Sequence, residues 1–117
     1  MPKIDLHTHS DFSDGTCSPE EVVHGALKAG ASVFALTDHD TMDGTARAHA
    51  LAAERGLRFV YGVEVSTSDH DHLHFTGYNI DVNDVSFQAF LKENREKRIG
   101  RIRQVIRQLQ EAGVDLT

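Results

Sequence analysis

The feature that most constrains this chain is the order in which its hydrophobic patterns change. "KIDLHT" (3–8) alternates, with Ile4 and Leu6 on one face and Asp5 and His7 on the other, as a half-buried strand does. Ser18, Pro19 and Glu21 then form a helix start: the serine caps, the proline occupies the first turn and the glutamate completes a capping box. That helix is predicted to run to about Ala29 and stop at Gly30. "SVFALT" (32–37) is a short, mostly apolar run, expected of a strand covered on both faces. "TARAHALAAER" is alanine-rich and helical, ending at Gly56. "LRFVYGVEVS" reads as a third strand and "HLHFTGYNI" (72–80) as a fourth, with His72, His74, Thr76 and Tyr78 on one face. A long helix is expected from about 85 to 112.

This β-α-β-α-β series with one more strand predicts an α/β fold, a mainly parallel sheet flanked by helices. At 117 residues there is room for one small domain and not for two cores. No stretch approaches the roughly 18–20 apolar residues needed to span a membrane. The start carries no basic-then-apolar leader, and the single cysteine, Cys17, excludes an internal disulfide. Both point to the cytoplasm as the default compartment. Net charge is −6, yet seven Lys or Arg residues against two Glu fall between Lys92 and Arg107.

In sheets and barrels of this kind, sites form at the carboxyl ends of strands. The polar residues cluster there. His7 and His9 lie where the first strand ends, Asp14 in the following loop, His39 at the close of the second, Glu64 near the end of the third and His74 on the fourth. Neutral imidazole and carboxylate oxygen suit Mn²⁺, Zn²⁺ or Fe²⁺, and one glutamate can bridge two ions. Two or three such ions would acidify a bridging water to hydroxide near neutral pH and offset charge on a phosphate, the requirements of phosphate-ester hydrolysis. Taken singly the residues are ambiguous: Asp14–Gly15 is a strong turn pair, and His39 lies between two aspartates. A carboxylate inside an apolar strand, as at Glu64, is costly without a partner. His70 and His72 read as surface residues, and His24 and His49 as solvent-facing positions of the two helices. Asp38 and Asp40 are expected to orient His39 from behind.

The apolar stripe of the last helix, traced back from Leu109, Ile106 and Ile102, lands on Arg98 and Arg95 before Leu91, while Lys92, Lys97 and Arg103 lie off it. The arginines are either solvated or paired with acids, or one of them binds a phosphate that is not cleaved, through the bidentate guanidinium fork.

The ordered motifs "DLHTHSDFSDG", "LTDHDT", "GVEVS" and "HFTGY" resemble the PHP (polymerase and histidinol phosphatase) family of metal-dependent phosphoesterases across nearly the whole chain. Within it the chain looks most like stand-alone bacterial enzymes acting on nucleoside 3′,5′-bisphosphates or the 5′ ends of short RNA, and less like the domain attached to DNA polymerases. The resemblance implies the N-terminal part of a distorted (β/α)₇ barrel. It also implies that His7 and His9 hold one metal, that Glu64 bridges to a second completed by His74, and that Asp14 and His39 bind a third. Further ligands in the family come from later strands, so 1–117 is expected to be an incomplete PHP domain, with an inserted helical subdomain beginning near its C-terminus. Partners implied are a nucleotide or short RNA and the remainder of the same protein. Histidinol-phosphate phosphatase, or a catalytically silent metal-binding or assembly module, are the alternatives.

Overall fold

The computed structural model describes residues 1–67 and 73–116. Its first half follows the alternation of the sequence. Strand β1 (Lys3–Asp5) leads through a polar loop to helix α1 (Pro19–Lys28), then β2 (Ala31–Phe34), α2 (Thr45–Glu54) and β3 (Arg58–Phe59). These three strands form one parallel sheet in the order β1-β2-β3. Helix α1 starts as its residues dictate: Glu21 N donates to the Ser18 hydroxyl and Ser18 N to the Glu21 carboxylate, so two amides that the helix cannot pair internally are satisfied. It ends where Gly30 takes a left-handed φ of 80°, a conformation that costs glycine nothing.

Packing explains why the two helices lie together. Val23 and Ala26 of α1, Ala48 and Ala52 of α2, and Phe34, Leu36 and Leu57 form one buried cluster. Burying side chains the size of Phe34 and Leu36 stabilises by about 1.5–3 kcal/mol each. The small alanines of α2 let that helix approach α1 closely. At the rim of this interface the Arg47 guanidinium donates two 2.7 Å hydrogen bonds to Glu20, which hold the Glu20 carboxyl below the usual carboxylate range.

The second half departs from expectation in three respects. The predicted third strand is two: β3 ends at Phe59, and β4 (Gly62–Ser66) belongs to a separate sheet. Strand β5 (His74–Tyr78) pairs antiparallel with β4, so the mainly parallel arrangement holds only for β1–β3. Residues 67–73 are too few for a parallel crossover, which needs about a dozen or more. Gly62 permits the close passage of β4, since a Cβ there would lie 2.9 Å from the Thr37 methyl and 3.1 Å from the Tyr78 ring. The two sheets are joined where the extension of β2 meets β4 in a parallel bridge between His39 and Glu64.

Helix α3 (Val85–Glu111) begins on Asp84, whose carboxylate accepts from Phe87 N, and packs Leu91 against Met42 and Val63. Its continuation was expected to bury Ile102, Ile106 and Leu109, yet all three are exposed. Likewise β1 is an edge strand with an exposed Ile4. His49, expected in solvent, is half-buried: its Nδ1 lies 3.2 Å from the Tyr61 hydroxyl and its ring packs on Phe59. His24 is exposed as expected. His70 and His72 lie outside the described residues. Among those described, no helix is long and apolar enough to cross a membrane.

Candidate metal centre

All six residues singled out as candidate ligands meet at one place. The backbone brings them there through two hydrogen-bonded passages. Beyond β2 the chain continues beside the loop after β1, with Thr37 N donating to Thr8 O. On its other side it runs beside β4, with Glu64 N donating to Asp38 O and Asp40 N to Glu64 O. His7 and His9 follow β1, His39 follows β2, Glu64 lies in β4, and His74 starts β5 opposite Ser66.

The geometry centres on one oxygen. Glu64 Oε2 lies 2.8 Å from His7 Nε2, 3.0 Å from His9 Nε2 and 3.6 Å from His39 Nε2. Asp14 closes the other side, with Oδ1 3.2 Å from His9 Nδ1 and Oδ2 3.3 Å from His39 Nε2. The His39 and His74 rings stand edge to face at 5.0 Å. Ligand atoms therefore gather in three overlapping groups: His7, His9 and Glu64; His9, Asp14 and His39; and His39, Glu64 and His74.

Burial grades across the cluster. Glu64 is 7% exposed, whereas the His7 side chain is half-exposed and Asp14 more so, so the centre opens to solvent on the side of the first loop. Burial pushes the His39 imidazole below its ordinary pKa, although Glu64 and Asp14 pull the other way. A neutral His39 keeps a lone pair for a cation. His9 Nδ1 and His39 Nδ1 are buried and make no hydrogen bond among the described residues. Three imidazoles cannot all donate well to one carboxylate oxygen, and unprotonated rings would set lone pairs against it. Divalent cations between nitrogen and oxygen donors relieve both conflicts, so the donor set fits a metal.

The loop bearing His9 and Asp14 is fixed by a residue expected to do something else. Asp38 makes no hydrogen bond to the His39 ring among the described residues. Its buried carboxylate accepts from Ser10 N and Ser10 Oγ, both at 2.6 Å, and from Ser13 Oγ at 2.7 Å. Gly15 completes the turn by donating to Ser10 O, and a Cβ there would collide with the His9 carbonyl at 2.7 Å. Asp14–Gly15 is thus both a turn pair and part of the cluster. Asp40, too, turns away from His39. It is fully buried in the left-handed region at φ 53°, where it accepts from Ser66 N at 2.9 Å and from Asn94 Nδ2 at 3.3 Å. Its carbonyl accepts from the Arg95 guanidinium. The two aspartates beside His39 therefore hold the neighbouring segments to it, one on each side.

Sequence reading passed over Ser10, Ser13, Ser66 and Asn94. A signal existed: Asp38 sits directly after an apolar strand and needs nearby donors, which "HSDFS" supplies.

Comparison with known proteins places the chain in a family. Residues 5–115 match the model of the PHP domain, and the chain belongs to that family. It is 45% identical over 115 residues to a 3′,5′-nucleoside bisphosphate phosphatase of Chromobacterium violaceum, covering 97% of this chain and 40% of that protein. It is 39% identical over 113 residues to a 5′-3′ exoribonuclease of Haemophilus influenzae, covering 96% of this chain and 41% of that one. The chain thus spans about 40% of the length of these relatives. Among solved structures, an amidohydrolase of Chromobacterium violaceum with bound sulfate and no metal superposes with a TM-score of 0.86 at 46% identity, over 95% of this chain and 39% of that one.

Proposed function

We propose that this chain is the metal-holding part of a phosphoesterase that hydrolyses a phosphate ester of a nucleotide, a nucleoside 3′,5′-bisphosphate or the end of a short oligoribonucleotide. The observation that carries this reading is the approach of three imidazole nitrogens to one oxygen of Glu64, with Asp14 closing the other side. The names of the two relatives support the substrate class.

His7, His9 and Glu64 would hold one divalent ion of the Mn²⁺, Zn²⁺ or Fe²⁺ type, His39, Glu64 and His74 a second, and His9, Asp14 and His39 would contribute to a third. Bound there, such ions supply a water acidified to near-neutral pKa and positive charge against the phosphate oxygens. The protein's own groups do the rest. Glu64 places its negative charge at the centre, where it would offset the mutual repulsion of bound cations. Burial keeps His39 neutral and able to coordinate. Asp38, Ser10 and Ser13 keep His9 and Asp14 in register with β4. The exposed His7 side leaves an approach for a phosphate.

The test uses the full-length protein, stripped with chelator and reloaded with Mn²⁺. Phosphate release is measured in parallel from adenosine 3′,5′-bisphosphate, a 5′-phosphorylated oligoribonucleotide and histidinol phosphate. Turnover of either nucleotide above histidinol phosphate is expected. Glu64→Ala should lower it about 10³-fold, the loss of several kcal/mol of charge stabilisation. Elemental analysis should show a matching loss of metal. A wild-type protein that retains no transition ion after loading would end this reading.

A further inference from the structure

Of the three overlapping ligand groups, the one formed by His39, Glu64 and His74 draws on three separate segments. One side chain from outside the cluster bonds beside all three. Asn94 Nδ2, on α3, donates to Asp40 Oδ1 and to Ser66 O, each at 3.3 Å. Asp40 is the residue after His39. Ser66 lies two positions beyond Glu64 on the same face of β4 and is the cross-strand partner of His74. Asn94 thus spans the junction on which these three ligands depend.

The packing of α3 puts Asn94 there. Leu91, Asn94 and Arg95 recur at i, i+3 and i+4, one face of the helix. Leu91 is buried against Met42 and Val63, two residues past Asp40 and one before Glu64. Half-buried Asn94 follows within the next turn, and the Arg95 guanidinium donates to the Asp40 carbonyl. Asp40 needs such partners. Its φ of 53° is a left-handed conformation that an aspartate keeps only where its surroundings hold it. Ser66 N holds Oδ1 at 2.9 Å from one side and Asn94 holds it from the other. Asp40 N meanwhile donates to Glu64 O at 2.9 Å, a bond that keeps the His39 segment against β4. Were Asp40 to relax to an ordinary φ, the chain around it would reorient. The 3.6 Å between His39 Nε2 and Glu64 Oε2 would change with it.

We infer that Asn94 is a positioning residue of the metal centre: it fixes the separation of His39, Glu64 and His74, and so the affinity for the ion they would share. The inference rests on the metal-holding part of the proposed function and deepens it, since α3 joins the centre without contributing a ligand. Ligands need placing to within about 0.5 Å, and bonds behind them supply that precision. His7 and His9 follow β1, in the half with its own packed core, so the ion they share with Glu64 should respond less.

The experiment titrates chelator-treated full-length protein with Mn²⁺ in a calorimeter. Asn94→Ala should weaken one Mn²⁺ site by roughly 10- to 100-fold, as loss of a group that supports metal ligands does, and leave another nearly unchanged. Electron paramagnetic resonance reads the geometry: the coupling between neighbouring Mn²⁺ ions should differ from wild type even when every site is saturated. Asn94→Asp, which sets a second carboxylate against Asp40, should lose more than Asn94→Ala. Adding Asp40→Asn should recover much of that loss. Asparagine tolerates the left-handed region, accepts from Ser66 N and donates to the new carboxylate. Lys97→Ala, at an exposed position of the same helix, is the control and should leave affinity and spectrum unchanged.

Hydrogen exchange of the metal-free protein gives a readout independent of metal and turnover. Peptides covering 38–42 and 62–66 should exchange roughly tenfold faster in Asn94→Ala, the equivalent of one lost hydrogen bond. Peptides of α1 and β2 should keep their protection, which separates local loosening from lost fold. Unaltered Mn²⁺ affinity and spectrum in folded Asn94→Ala would overturn the inference, whether or not exchange quickens. If the wild type binds no Mn²⁺, the metal-holding reading fails, and exchange alone then decides whether Asn94 holds the junction of His39 and Glu64.

Discussion

The two halves of this molecule are built differently, and the candidate metal centre lies across their join. From β1 to β3 the chain alternates strand and helix over one core, with Phe34, Leu36, Ala48 and Ala52 fully buried. From β4 to α3 it is an antiparallel pair and a long helix, whose apolar side chains at Phe75, Ile99, Ile102 and Ile106 are exposed. His7, His9, Asp14 and His39 come from the first half, Glu64 and His74 from the second. The lesson is that a half with its own packed core can position four ligands. The other two are placed by long-range bonds, among them the His39–Glu64 bridge and the contacts of Asp40, and by the smaller cluster of Met42, Val63 and Leu91.

Three substitutions would break or sharpen that contrast. The largest effect is expected in the packed half: Phe34→Ala should cost about 3–5 kcal/mol, the range for emptying a buried aromatic site. Urea denaturation measures it, and a cost below 1 kcal/mol would mean the first half is not held by that core.

Next, Asp38→Ala should cost about 2–3 kcal/mol by stranding the buried donors of Ser10 and the half-buried hydroxyl of Ser13. It should also weaken Mn²⁺ binding by roughly 10- to 100-fold, as loss of a group that supports metal ligands does. Calorimetric metal titration reads the second effect, and an unaltered affinity would show that the loop holds His9 and Asp14 unaided.

The smallest effect belongs to the open half. Ile106→Ala should change stability by no more than about 0.5 kcal/mol, because the residue is exposed and belongs to neither buried cluster. A larger loss in the same denaturation series would place that stripe against a surface.

Much of the first half was legible because its signals are local. The capping box at Ser18 and Glu21, the left-handed Gly30 and the apolar run ending in Leu36 each act within a few residues, and each appears where the pattern put it. The second half was misread where geometry depends on connection. The short link between β4 and β5 forces an antiparallel pair, although each strand alone reads the same in either direction. On α3 the apolar positions 102, 106 and 109 were the natural stripe to trace, and tracing it back to Arg98 and Arg95 did not show that the Arg95 guanidinium would be held by the Asp40 carbonyl. His49 was misplaced because its partner, Tyr61, is remote in sequence.

The residues themselves determined what kind of site this chain could hold. Imidazoles and carboxylates at successive strand ends are donors in search of cations, whatever the detailed path between them. Only the folded chain decided that one oxygen of Glu64 would meet three rings, that Asp38 and Asp40 would brace the segments beside His39 and not His39 itself, and that the Arg95 guanidinium would be held by the Asp40 carbonyl. Those are choices of a few ångströms between residues far apart in the chain. They are fixed by which backbone amides find partners across the join, and no local pattern carries that distance.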